Sequence, residues 1–150
     1  MKIAVVGATG VLGRALVPLL QAQGRRVVAL ARSSHKARAV LPPDTEIRRF
    51  DMLDPEQRPG LPDLLRGCDA VLHIATSIPS DMDAPGAWEA NTRLRTEATE
   101  ALLNAALQAG VARYLQQSIT MAYPDRGDAW IDESVPLNQS SRQGVAPCSC

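Results

Sequence analysis

One segment near the start of the chain, Gly7-Ala8-Thr9-Gly10-Val11-Leu12-Gly13, constrains the fold more than any other. It stands directly after the apolar run Ile3-Ala4-Val5-Val6 and opens the helical stretch Arg14-Ala15-Leu16-Val17. The order of strand, glycine turn and helix start is that of a unit built to hold a pyrophosphate. Glycine suits such a turn because a Cβ obstructs the required backbone angles and keeps phosphates away from the main chain. The amides of Thr9 to Leu12 are expected to point at the anion. The partial positive charge of a helix N-terminus adds to them, so a diphosphate can be held without a lysine. No Gly-Lys-Ser/Thr follows, which argues against a P-loop for triphosphates. The plainer alternative is a turn that only needs flexibility. The apolar strand before it and the second strand after the Gln23-Gly24 stop favour the binding unit.

Size and charge narrow the class. A chain of 150 residues with 45% apolar content fits one domain with an ordinary core. Sixteen basic and sixteen acidic residues cancel, so no broad field favours nucleic acid or an anionic membrane, and any anion site must be local. No run of apolar residues is long enough for a membrane span, and the N-terminus leads straight into a strand, which makes the cytoplasm the expected location. The three cysteines, Cys68, Cys148 and Cys150, do not suggest a disulfide framework. Cys148 and Cys150 lack partners at metal-ligand spacing, so no metal site is expected. Cys68 precedes an apolar strand and reads as a small buried residue.

Strand and helix patterns alternate along the chain. Strands are expected at 2–6, 26–31, 46–50, 70–75 and 111–118. Helices are expected at 11–23, from a Ser33 or Ser34 cap to about Val40, near 62–66, and as one long segment from about Ala87 to Ala109 stopped by Gly110. Continuous apolar strands between helices indicate a parallel sheet covered on both faces. Right-handed crossovers then give an α/β, doubly wound sheet of the Rossmann type in the order 3-2-1-4-5. The carboxyl ends of strands one, two and four converge on one crevice.

The spacing Gly7-x-x-Gly10-x-x-Gly13, with the motifs that follow, resembles the extended short-chain dehydrogenase/reductase family, also called the NAD-dependent epimerase/dehydratase family. The likeness runs from residue 1 to about 137. It implies an N-terminal domain that binds NAD or NADP, with Gly7, Thr9, Gly10, Val11, Leu12 and Gly13 at the cofactor. Asp51-Met52 resembles the family's acidic-hydrophobic pair at the adenine, although Asp51 can equally cap the segment after it. His73-Ile74-Ala75-Thr76 resembles the stretch whose backbone passes the cofactor, which brings Ala75 and Thr76 to the site. His73 itself, inside an apolar strand, reads as a satisfied structural histidine. Asn91 matches the Asn of an Asn-x-x-Gly-Thr pattern whose glycine this chain lacks. Arg32, at the end of strand two with no acid until Asp44, suits the 2′-phosphate of NADP where an acidic residue would suit NAD. NADP is the expected cofactor.

The resemblance also implies a catalytic Tyr-x-x-x-Lys and a hydroxyl that polarises the substrate carbonyl. The only lysines are Lys2 and Lys36, and neither follows a tyrosine at that spacing. The segment from Tyr114 to Tyr123 resembles the family strand that carries the hydroxyl. The usual position falls on Ile119, leaving Ser118 or Thr120 as substitutes, and Asp132-Glu133-Ser134-Val135-Pro136 resembles the stretch that precedes the catalytic tyrosine. The expected organisation is a cofactor domain over 1–137, cut short before a substrate lobe, and a disordered or non-native tail over 138–150. The expected function is the dinucleotide-binding part of an NADP-preferring oxidoreductase, epimerase or dehydratase, without catalysis by this chain alone. A non-catalytic regulator or redox sensor and a damaged remnant are the alternatives. A small-molecule substrate belongs to a full-length relative, and an unpaired edge on strand five makes homo-oligomers plausible.

Overall fold

The computed structural model describes residues 1–137, so the expectations for the 138–150 tail, Cys148 and Cys150 lie outside the described residues. Two compact units are present, Met1–Gln117 and a second beginning at Ser118.

The first unit is a five-stranded parallel sheet, β1 (Lys2–Val6), β2 (Arg26–Ala31), β3 (Glu46–Arg49), β4 (Ala70–His73) and β5 (Arg113–Gln116), in the order β3-β2-β1-β4-β5. Helices α1 (Val11–Ala22), α2 (Ser34–Val40), α3 (Leu61–Leu65), α4 (Glu89–Arg95) and α5 (Glu97–Gln108) connect the strands, with a 3-10 segment at Pro55–Gly60. This is the doubly wound architecture that the alternation predicts. The side chains of β1 and β2 divide by parity, as a pleat requires. Ala4, Val6, Val28 and Leu30 join Leu61 and Leu65 of α3 and Leu102 of α5 in one core, while Ile3, Val5, Val27 and Ala29 join Val17 of α1 and Ala37 of α2 in the other. Val6 is paired in register with Leu30 on one side and His73 on the other, and Ala31 with Arg49. Four strands therefore end at nearly one level, and the loops leaving them face one crevice.

Local chemistry sets the helix limits. The Ser33 hydroxyl accepts the Lys36 amide at 3.3 Å and caps α2, and Leu41, ahead of Pro42-Pro43, turns the chain to extended backbone. The single long helix expected over 87–109 is two helices. Thr96 has φ −105° and ψ −89°, outside the helical range. Its hydroxyl donates to the Thr92 carbonyl at 2.9 Å, and the Thr99 hydroxyl donates to the Leu94 carbonyl at 3.0 Å. The Thr92 carbonyl is thus shared between the Thr96 amide and hydroxyl, and the Leu94 carbonyl accepts a side-chain donor, which accompanies the bend there. The apolar period runs through the break, which is why periodicity did not reveal it. Strands three, four and five end earlier than expected, at Arg49, His73 and Gln116. Phe50, Ile74, Ala75 and Gln117, expected in those strands, belong to the loops that form the crevice.

In the second unit Ser118 and Thr120 are both exposed. Thr120 opens a 3-10 turn, Thr120–Ala122, closed by the Ala122 amide on the Ile119 carbonyl at 3.2 Å. The Asp132 carboxylate accepts the Ser134 amide at 2.9 Å and its hydroxyl at 2.6 Å, and these bonds hold its pKa below the usual value.

Among the described residues no helix is long and apolar enough to cross a membrane, and no cluster of His, Cys, Asp or Glu could hold a metal.

Candidate dinucleotide crevice

The crevice at the carboxyl end of the sheet has a volume of ≈ 490 Å³, within the range of small-molecule sites. Of the residues expected at a cofactor, Gly7, Thr9, Gly10, Val11, Leu12, Arg32, Asp51, Met52, Ala75 and Thr76 line it. Gly13 and Asn91 do not.

Of the two expected reasons for glycine, the special backbone angle is found at Gly7, while the three glycines divide the close approaches among themselves. Gly7 has φ +95°, and a Cβ on it would sit 2.6 Å from the Ala75 backbone nitrogen, so this glycine lets the β1 turn pass against the loop after β4. A Cβ on Gly13 would lie 2.4 Å from the Ala8 carbonyl and from the Gly7 oxygen. Gly13 is therefore consumed by packing α1 onto the turn. Gly10 alone keeps open space on its crevice side, its nearest neighbour to a Cβ being the Gly7 oxygen at 3.2 Å.

The donors also need one correction. The Gly10 amide, expected to face an anion with its neighbours, instead donates to the Gly7 carbonyl at 3.0 Å and closes the turn. What α1 offers is its first-turn amides beyond Gly10, with no side-chain cap and no acidic residue in that turn. An uncapped helix start without a carboxylate suits an anionic ligand. Val11 is 80% exposed and Leu12 53%, so two apolar side chains stand at the crevice mouth where a ligand could cover them.

At the β2–β3 end, Arg32 is exposed at the rim and forms no ion pair among the described residues. Met52 and Phe50, both buried, form an apolar floor. Asp51 lines the crevice, and it also caps the next segment, one carboxylate oxygen accepting the Leu53 amide at 3.0 Å. Both readings of Asp51 are compatible, since a carboxylate has a second oxygen.

Asn91 lies behind the wall. Its Nδ2 donates to Thr76 Oγ1 at 3.1 Å and to the Ser77 carbonyl at 3.0 Å, and its Oδ1 accepts from Arg95 Nε at 3.0 Å. Its direct role at a cofactor gives way to anchoring two residues that line the crevice. His73 is 3% exposed, with Nδ1 3.1 Å from the Tyr114 hydroxyl, while its Nε2 is buried with no hydrogen-bond partner among the described residues. The expected structural histidine is thus satisfied at one nitrogen only. Burial, reinforced by the nearby Arg95 charge, pushes its pKa down to about 4, so the ring is neutral at pH 7. Cys68 is buried as expected, and burial raises its thiol pKa.

Sequence reasoning missed ten further lining residues, among them Leu30, Leu53, Ser77, Leu94 and Gln117. The available signal was the doubly wound rule that the strand ends and the loops after them face the ligand.

The sequence profile of the NAD dependent epimerase/dehydratase family matches residues 3–146. A 3-diazoavenalumate denitrifying reductase from Streptomyces sp. is 37% identical over 138 residues, 91% of this chain and 44% of that protein. The solved structure of MoeE5 in complex with UDP-glucose and NAD superposes with a TM-score of 0.74 at 28% identity, covering 97% of this chain and 45% of that one. A short-chain dehydrogenase/reductase superfamily protein from Agrobacterium tumefaciens with bound NAD gives a TM-score of 0.72 at 29% identity, covering 96% and 41%. The chain spans less than half the length of these relatives. Its glycine turn, strand order and profile match over nearly its whole length show that the chain belongs to the NAD dependent epimerase/dehydratase family.

Proposed function

We propose that this chain is the dinucleotide-binding portion of an NADP-preferring oxidoreductase, epimerase or dehydratase. The observation that carries the reading is the uncapped start of α1, free of acidic residues and open to the crevice beside Gly10. In this reading the first-turn amides hold the diphosphate, and the adenosine half extends over β2 and β3 to Arg32, Asp51 and Met52. The other half runs past Ala75 and Thr76 toward the end of β5. NAD in the MoeE5 and Agrobacterium structures supports a nicotinamide dinucleotide. The preference for NADP rests on Arg32, an exposed cation at the rim with no carboxylate paired to it among the described residues.

Bound dinucleotide would supply hydride transfer. This chain's own residues bind and orient it, and they lack a Tyr-x-x-x-Lys for the proton. We assign the carbonyl-polarising hydroxyl of the parent reaction to Thr120 or Ser118.

Calorimetric titration is expected to show NADP binding more tightly than NAD. Arg32→Ala should lose about tenfold in NADP affinity, the value of one charge-assisted hydrogen bond of ~1.5 kcal/mol, with little change for NAD. Equal affinities in the unmutated chain would end the assignment. A ligand that binds only the folded state at 100 times its Kd adds about 2.7 kcal/mol, so saturating NADP should raise the melting temperature by several degrees.

A further inference from the structure

Two polar side chains of helix α4 reach separate walls of the crevice, and a third backs one of them. On one side, Asn91 binds Thr76 and Ser77 of the loop after β4, with Arg95 on its carbonyl. On the other, Arg93 Nη2 donates to the Leu53 carbonyl at 2.9 Å, in the loop after β3. At about 100° per residue, Arg95 lies ~40° from Asn91 around the helix, whereas Arg93 lies ~200° away and Leu94, at ~300°, falls between the two arms. Leu94 is the α4 residue that lines the crevice, together with Leu53, Thr76 and Ser77.

Each arm is held in turn by a second contact. Arg95 Nε can only donate, so it fixes the Asn91 carboxamide with its oxygen inward and both Nδ2 protons on the wall. A flipped amide would set Oδ1 against the Ser77 carbonyl oxygen. Glu97 lies 3.6 Å from Arg93 Nε and 2.9 Å from Arg58 Nη2, and the Arg58 hydrogen bond keeps its carboxyl ionised by lowering its pKa. The shared carboxylate thus lies beside the Arg93 guanidinium whose Nη2 reaches Leu53.

We propose that α4 is a brace that sets the width of the crevice, with Arg93 as the positioning residue for the adenosine-side wall and Asn91, locked by Arg95, for the opposite wall. The inference rests on the dinucleotide reading and deepens it, because the two walls should then govern different halves of the ligand.

The test measures the binding of NADP and of adenosine 2′,5′-bisphosphate, which lacks the nicotinamide half, to the unmodified chain and to Arg93→Met and Arg95→Met. Arg93→Met is expected to weaken both ligands about tenfold, the loss of one hydrogen bond from a charged donor. Arg95→Met should weaken NADP by a similar factor and leave the bisphosphate within twofold. Arg93→Lys, which keeps a donor in reach of Leu53, should recover most of the bisphosphate affinity, which a generally loosened fold would not allow. If both variants bind both ligands as the unmodified chain does, or if both lose affinity equally for the two ligands, the brace is overturned. If the unmodified chain binds neither ligand, the NADP reading fails and the brace, as stated for these ligands, falls with it.

Discussion

An alanine at Gly13 is expected to destabilise the chain by about 3 kcal/mol, a drop on the order of 10 °C in melting temperature, and to abolish dinucleotide binding. The sign is opposite to the ordinary result. Gly13 lies inside α1, where glycine to alanine normally stabilises by ~1 kcal/mol through lower chain entropy. Here the new Cβ meets the Ala8 carbonyl and the Gly7 oxygen at 2.4 Å, and these are backbone atoms that cannot swing aside. α1 must lift from the turn, and the first-turn amides move with it. Gly60→Ala is the control: nothing lies within 4 Å of its added Cβ, and its φ is −84°, so a change within about 0.5 kcal/mol is expected. Thermal melts of the two variants settle the matter. A Gly13→Ala protein as stable as the parent would remove the packing account of the glycine turn.

The second large effect concerns acid. His73 has a folded pKa of about 4 against an ordinary 6.5, because its buried ring loses water and faces Arg95. A depressed folded value means that the unfolded chain takes up the proton first. The contribution is therefore fully present above pH 6.5 and is lost as the pH falls toward 4. A difference of that size corresponds to about 3 kcal/mol across the window, at 1.36 kcal/mol per pH unit. Glu46 and Glu97 also have lowered values, owing mainly to hydrogen bonds from Lys2 and Arg58. Their stabilisation is lost only below the ordinary carboxylate range near pH 4.5, which leaves the upper part of the window to His73. Urea unfolding at a series of pH values should show stability falling from about pH 6.5 downward. His73→Gln, which cannot titrate and keeps a polar partner for Tyr114, should flatten that fall. An unchanged slope in the variant would show that the histidine does not carry the effect.

Much of the fold was legible because it depends on local signals. The apolar runs of β1, β2 and β4, the Ser33 cap, the Pro42-Pro43 stop and the three glycines each act within a few residues of where they are written. Crossover handedness narrows the sheet to a few doubly wound orders, and β3-β2-β1-β4-β5 is the expected one among them that the structure shows. The site was legible to the same depth: ten of the expected cofactor residues line one crevice because they sit in the turns at strand ends. Less accessible was how neighbours use their hydrogen bonds. Nothing in the sequence tells that Gly10 spends its amide on Gly7, that Thr99 takes the Leu94 carbonyl, or that Arg93 reaches back 40 residues to Leu53. Each depends on which acceptor happens to lie within about 3 Å once the elements have packed.

The sequence by itself marked most of the elements, the doubly wound class of their sheet and the end of the sheet at which a ligand can bind, since hydrophobic period, turn chemistry and chain handedness act along the chain. Only the tertiary structure decided that Gly13 serves packing, that Asn91 stands behind the wall, and that the histidine of β4 is half satisfied. Those outcomes depend on interatomic distances set when the turn, helices and strands pack, for Asn91 and His73 between residues 14 to 41 positions apart, and a hydrogen bond or a steric contact is made or lost over less than an ångström.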